Sequence, residues 1–149
     1  MNFEEIVKNT NQISNYYCRG LTALGNNSSR IKPKNTSLIE GSVDIDSATK
    51  KYYPNKNRWD YVIGYNGKAY FVEIHPAASS NVKEVKAKFE WLKEWIPKNA
   101  PELLTISNGL NSKSCFWIYT SGCSILRNSK QYRMAANIGL LPKREITLS

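Results

Sequence analysis

Three residues in the middle of the chain carry side chains suited to hydrolytic chemistry: Asp60, Glu73 and His75. Asp60 lies in the alternating run 59–65, and Glu73 and His75 lie in the run 68–75. Asn66-Gly67 joins the two runs, and both residues accept the positive φ angles of a type I′ turn. A two-residue loop fixes the register: Tyr65 faces Lys68, Val62 faces Phe71 and Asp60 faces Glu73. Two carboxylates then stand directly opposite on neighbouring strands, with Cβ atoms about 4.5–5.5 Å apart.

Like charges facing each other weaken a sheet. Sharing a proton would relieve the pair and raise one pKa. A cation between them would do the same, and Mg²⁺ accepts one or two carboxylates while keeping several waters. Solvation on an exposed sheet face is the third way out, although Val62 and Phe71 on that face argue for partial burial. Period two also places His75 on this face. Its imidazole there would bind a metal or take a proton from water, or else bond to backbone near Pro76. On the preceding strand Glu40, Ser42, Asp44 and Asp46 share one face if no bulge intervenes. If that face meets the Asp60–Glu73 face, Asp44 and Glu40 are secondary metal ligands; otherwise it is a polar outer face.

These side chains need elements to hold them. Phe3, Ile6, Val7, Thr10, Ile13 and Tyr17 fall at helical spacing and predict an amphipathic helix over 3–17. Residues 25–37 and 47–58 read as basic, turn-rich loops, and 38–46 as a strand. Val82, Val85, Phe89, Leu92 and Ile96 mark the buried stripe of a helix over 80–96. Ser80 or Asn81 would cap it and Pro97 would end it. Strands follow at 115–120 and 144–148, with a helix at 128–138 between them. Tyr61, Ile63, Tyr65, Tyr70, Val72 and Ile74 form the far face of the hairpin and read as core under a helix, and Trp91 with Trp95 reads as packing. The order predicts a mixed α/β layer fold in a single domain, 1–149.

The order and the motif resemble the PD-(D/E)xK nuclease superfamily. Its restriction-endonuclease-like core is an α-β-β-β-α-β unit, a mixed central sheet flanked by helices. An Asp on the second strand and an E-x-K on the third bind Mg²⁺ there. Asp60, the Asn-Gly hairpin, Glu73-Ile74-His75 and the helix after it look like that core over residues 3–120. Two departures stand out: Trp59 replaces the motif's Pro, and His75 occupies the lysine position. Lys83 or Lys86 on the next helix would be the substitute ammonium, and Glu4 or Glu5 would correspond to the family's glutamate on the first helix. The resemblance implies metal-dependent hydrolysis of DNA or RNA. Asp60 and Glu73 would hold Mg or Mn, and His75 would orient or deprotonate water. The alternative is a catalytically inactive nuclease-fold module that binds nucleic acid or a protein partner.

Charge points the same way. The 149 residues include 21 Lys and Arg against 12 Asp and Glu, a formal net charge of +9, which suits a polyanionic partner. Lys83, Lys86, Arg58 and Lys56 are the candidate phosphate-binding residues, and Arg127, Lys130 and Arg133 form a later basic cluster. Tyr16-Tyr17 and Tyr52-Tyr53, beside basic residues, are candidates for base stacking. The sequence shows no membrane-length apolar run, no secretory signal at Met1-Asn2-Phe3 and no CxxC pair among its three cysteines. The expected location is cytoplasmic with reduced thiols, and a homodimer is an open expectation. No Walker loop, GxGxxG, HExxH or GxSxG motif is present.

Overall fold

The Asn66-Gly67 turn forms as its residue types require, with φ of 48° and 78°. Around it the computed structural model describes residues 1–149. The chain runs α1 (Phe3–Lys8), β1 (Tyr17–Cys18), β2 (Ile31–Pro33), β3 (Ile39–Asp44) and α2 (Ile45–Thr49). It continues through β4 (Tyr61–Tyr65), β5 (Lys68–Ile74), α3 (Val82–Asn99) and α4 (Pro101–Ser107). β6 (Cys115–Ile118), α5 (Lys130–Asn137) and β7 (Ile146–Leu148) complete it, giving a mixed α/β architecture.

The central sheet has the order β1-β3-β4-β5-β6. β3, β4 and β5 are antiparallel neighbours, and β6 lies parallel to β5. A parallel neighbour needs a crossover connection, and α3 with α4 supplies it. Val43, Val62, Ala69, Phe71, Cys115 and Trp117 point to one side and pack with Phe3, Val85, Phe89, Leu92 and Ala135 of the helices. Ile63, Tyr65, Val72 and Ile118 point to the other side. Turns of 3₁₀ helix over Thr22–Arg30 and the parallel pair β2–β7 cover that second face. The far face of the hairpin is thus core, but irregular chain covers it instead of the expected α-helix.

Several boundaries differ from the sequence pattern, each for a local reason. The first helix stops at Lys8, because Thr10 turns its hydroxyl back onto the Ile6 carbonyl and the polar run Asn9–Gln12 favours turns. Ile13 still reaches the core, from a turn. The 25–37 segment holds 3₁₀ turns and β2 in place of a plain loop. The 38–46 strand ends at Asp44, whose side chain accepts from the Ser47 amide and starts α2, so Asp46 is helical. Pro97 lies inside the last turn of α3 and does not end it. Asn81 accepts from the Ala78 amide and makes no capping bond to the first turn of α3. α4 begins with Pro101 at its first position, where the missing N–H costs nothing. Trp91 and Trp95 stack with centroids 5.6 Å apart, as packing residues do.

One glycine lets α1 reach the sheet. A Cβ on Gly64 would stand 2.3 Å from the Phe3 ring, which is itself buried. Gly64→Ala must push Phe3 out of the core, and its expected cost is about 1–3 kcal/mol, read by urea denaturation of the two proteins. A variant of unchanged stability would show that α1 does not depend on this close approach.

Candidate functional site

The hairpin register carries Asp60 and Glu73 to the place the turn dictates. Tyr61 pairs with Val72, so the next pair out is Asp60 with Glu73, on the face of Val62 and Phe71. That face lies under α3. Glu73 is completely buried, and only 18% of the Asp60 side chain is exposed. The cation between them comes from the helix: Lys88 Nζ lies 2.7 Å from Glu73 Oε2 and 3.7 Å from Asp60 Oδ1. Backbone amides complete the arrangement. The Asp60 amide donates to Glu73 Oε1 at 3.1 Å, and the Ile74 amide donates to Asp60 Oδ2 at 2.9 Å. Each carboxylate is therefore bonded to the strand that carries the other.

Lys88 is the residue the sequence reading missed. Lys83 is exposed, and Lys86 approaches only Glu90, at 3.9 Å. The signal lay in the helical spacing: Lys88 falls in the row Val85, Leu92, Trp95 at intervals of three and four. These three neighbours are buried, so a lysine there is held against the sheet. Asp46 is a second addition. The Ile45 and Asp46 amides both donate to the Asp60 carbonyl, which draws α2 against the site. The Asp46 carboxylate acts on both Asp60 and Lys88.

Other expected site residues stand elsewhere. Asp44 pairs with Tyr61 on the opposite side of the sheet and caps α2. Glu40 sits at an irregularity between Ile39 and Gly41 and accepts from the Gly67 amide at the hairpin turn, the far end of β4 and β5. The proviso of an unbulged strand fails, and neither residue joins Asp60 and Glu73. His75 meets the same helix but makes no bond to the pair. Its Nδ1 lies 3.0 Å from the Pro76 carbonyl and its Nε2 lies 3.2 Å from Glu84 Oε2, one turn of α3 before Lys88. Arg58 is held by Asp46 at 2.8 Å and by the Tyr53 carbonyl at 2.7 Å, whereas Lys56 is exposed. Tyr17 donates to the Glu40 carbonyl and Tyr53 packs edge-on against Trp91, which leaves Tyr16 and Tyr52 as the exposed members of the two tyrosine pairs.

The electrostatics follow from burial. Loss of water holds Glu73 well above the usual carboxylate range, and the Asp60 charge pushes the same way against the opposing pull of Lys88. Burial also raises Asp60, with Lys88 opposing it. Burial works against the Lys88 ammonium, but Glu73 and Asp60 outweigh it and raise its pKa. Of the explanations for the facing pair, the structure supplies an internal cation, the Lys88 ammonium, together with a raised Glu73 pKa.

The donor set can be tested against a divalent cation. It offers two carboxylates, and no cluster of three or more His, Cys, Asp or Glu surrounds them. Mg²⁺ accepts one or two carboxylates and fills its other positions with water and substrate phosphate. Asp60 Oδ1 takes no N–H bond and is the accessible oxygen. The residues fit such an ion in kind and number. Comparison with protein-family models, curated proteins and solved structures finds no match.

A group whose pKa is higher in the folded state adds stability below its unfolded value and loses it as pH rises through the folded one. Glu73 is such a group, with an unfolded value of about 4.3. Wild type should therefore lose stability relative to Glu73→Gln as pH climbs from about 4 toward neutrality. Thermal melts of both proteins across that range check this. A difference that stays flat, or grows in favour of wild type, would mean that folding does not raise the Glu73 pKa.

Proposed function

We propose that this chain is a divalent-metal-dependent phosphodiesterase acting on DNA or RNA, built on a restriction-endonuclease-like core. One observation carries the reading: Lys88 meets both Asp60 and Glu73 from the helix after the hairpin. It supplies the ammonium that the E-x-K pattern expects and that His75 does not. The strand order supports it too, with three antiparallel strands, a helical crossover and a parallel strand.

Asp60 and Glu73 are the residues that would hold Mg²⁺ or Mn²⁺. The ion would polarise a phosphoryl oxygen and lower the pKa of a bound water. Asp60 presents its free Oδ1 to the open side of the site. Glu73 would serve as a ligand in its carboxylate form, so metal binding would weaken in acid. Lys88, which contacts both carboxylates, would supply positive charge beside the phosphate and stabilise the charge that develops there. His75 and Glu84 hold the end of β5 against the start of α3. They position the strand without touching the reaction.

A second reading has its own support. Both Glu73 oxygens are occupied and the side chain is fully buried, as expected of a catalytically inactive module in which the triad only holds the fold. Two measurements separate the readings: calorimetric titration with Mn²⁺ and a cleavage assay on single- and double-stranded DNA and RNA. The nuclease reading expects Mn²⁺ binding that Asp60→Ala abolishes. It also expects a loss of rate of about 10²–10³-fold in Lys88→Ala, and less than about tenfold in His75→Ala, which removes no charge stabilisation from the reacting phosphate. No Mn²⁺ heat and no cleavage, with salt-sensitive oligonucleotide binding retained, would leave the inactive module. Equal losses in Lys88→Ala and His75→Ala would return the catalytic role to the strand position.

A further inference from the structure

A basic cleft lies on the opposite flank of α3. Lys86 of α3 and Lys130 and Arg133 of α5 line it, with Met134, Asn137 and Ile138, around a volume of about 330 Å³. Two clusters far apart in sequence meet here, and no carboxylate lines the cleft. Lys86 has one weak partner, Glu90 at 3.9 Å on an exposed helical surface. Lys130 and Arg133 have no carboxylate within ion-pair distance, and Arg133 donates only to the Asn128 carbonyl. Their place in the helix makes the charge costly. Lys130 directly follows the Ser129 cap, in the first turn of α5, where cations oppose the helix dipole. Positive charge that weakens its own helix and pairs with nothing in the chain fits an external anion.

We infer that this cleft seats backbone phosphates of the nucleic acid strand, a proposal that rests on the phosphodiesterase reading and says where the substrate lies. Lys86 and Lys88 are two residues apart, about 200° around the helix. Lys83, exposed, stands on the ridge between them. A strand crossing α3 therefore runs from the Asp60–Glu73–Lys88 centre over Lys83 into the Lys86–Lys130–Arg133 cleft. The helix is about 10 Å thick with its side chains, so the strand is held a short distance from the bond to be broken. A bilayer is a poorer match. Met134 and Ile138 pack against the main core, and Leu126 is a single exposed apolar side chain, where a membrane-bound helix needs a whole apolar face.

The test uses the full chain carrying Asp60→Ala, so that bound nucleic acid stays intact. Its probes are a labelled single-stranded DNA, the matching duplex, and vesicles containing phosphatidylserine. Lys130→Ala with Arg133→Ala should weaken oligonucleotide binding roughly tenfold and lower the salt slope by about two. Lys68→Ala with Lys113→Ala removes the same charge from the hairpin-turn end and should change both far less. The melting temperature of the Lys130→Ala variant should stay level or rise, since a cation leaves a helix start. Equal losses in the two pairs would reduce the effect to bulk charge and overturn the cleft. Unchanged binding in the cleft pair would overturn it alone, with the phosphodiesterase reading intact. A loss seen on vesicles and not on oligonucleotides would reassign the cleft to a membrane surface. If neither of these oligonucleotides nor an RNA strand of the same sequence binds the parent chain, both readings fall together.

Discussion

A fully buried glutamate on the central sheet sets the terms for everything around it. Burying an ionised carboxylate without a partner is among the largest penalties a fold can carry. Glu73 avoids it with an amide from the facing strand, an ammonium from the overlying helix and a raised pKa. Each remedy fixes geometry. The Asp60 amide can reach Glu73 only in the hairpin register set by Asn66-Gly67. Lys88 can reach it only if α3 lies across β4 and β5 with that row of its surface inward. The charge cluster thus ties the turn, the sheet and the helix into one arrangement, and a slip in any of them would strand a buried charge.

The same closure makes the site adaptable. Its two acids and one base are compensated internally by an ion pair and by strand amides, the partners a bound divalent cation would have to displace. Exposed carboxylates without such partners would repel each other in the absence of an ion. Here the buried pair is held by Lys88 and backbone amides alone. Asp46, held to Arg58, adds negative potential at the rim without entering the buried pair.

Most of the site was legible in the sequence because turn chemistry is local. Two residues with positive φ fix a hairpin, the hairpin fixes a register, and the register places two carboxylates opposite each other. Val62 and Phe71 correctly implied that the pair is buried. The identity of the counter-charge was not legible from the strands, since which helical row faces a sheet depends on tertiary packing. Lys88 occupied a core row, but reading the stripe as Val82, Val85, Phe89, Leu92 and Ile96 passed one row beside it. Asp44 and Glu40 failed for another reason: the β3–β4 register pairs Asp44 with Tyr61 on the far face, and the irregularity at Ile39–Gly41 leaves Glu40 at the hairpin turn. β1, of two residues, and α2, of five, have too few residues for any period to show.

Placing the ammonium on a helix instead of on the strand changes what the site depends on. A lysine two residues after Glu73 would move with its own strand and need only the β5 backbone. Lys88 approaches from a different layer, so its distance to Asp60 and Glu73 is set by how α3 packs, through Val85, Phe89 and Leu92, on Val62 and Phe71. His75, left at the strand position, joins Glu84 one turn earlier on the same helix. The two contacts together align α3 with the end of β5 at two successive turns. The buried charge and helix–sheet packing then become one property, and a change in the core beneath α3 is felt at the carboxylates without touching any of them.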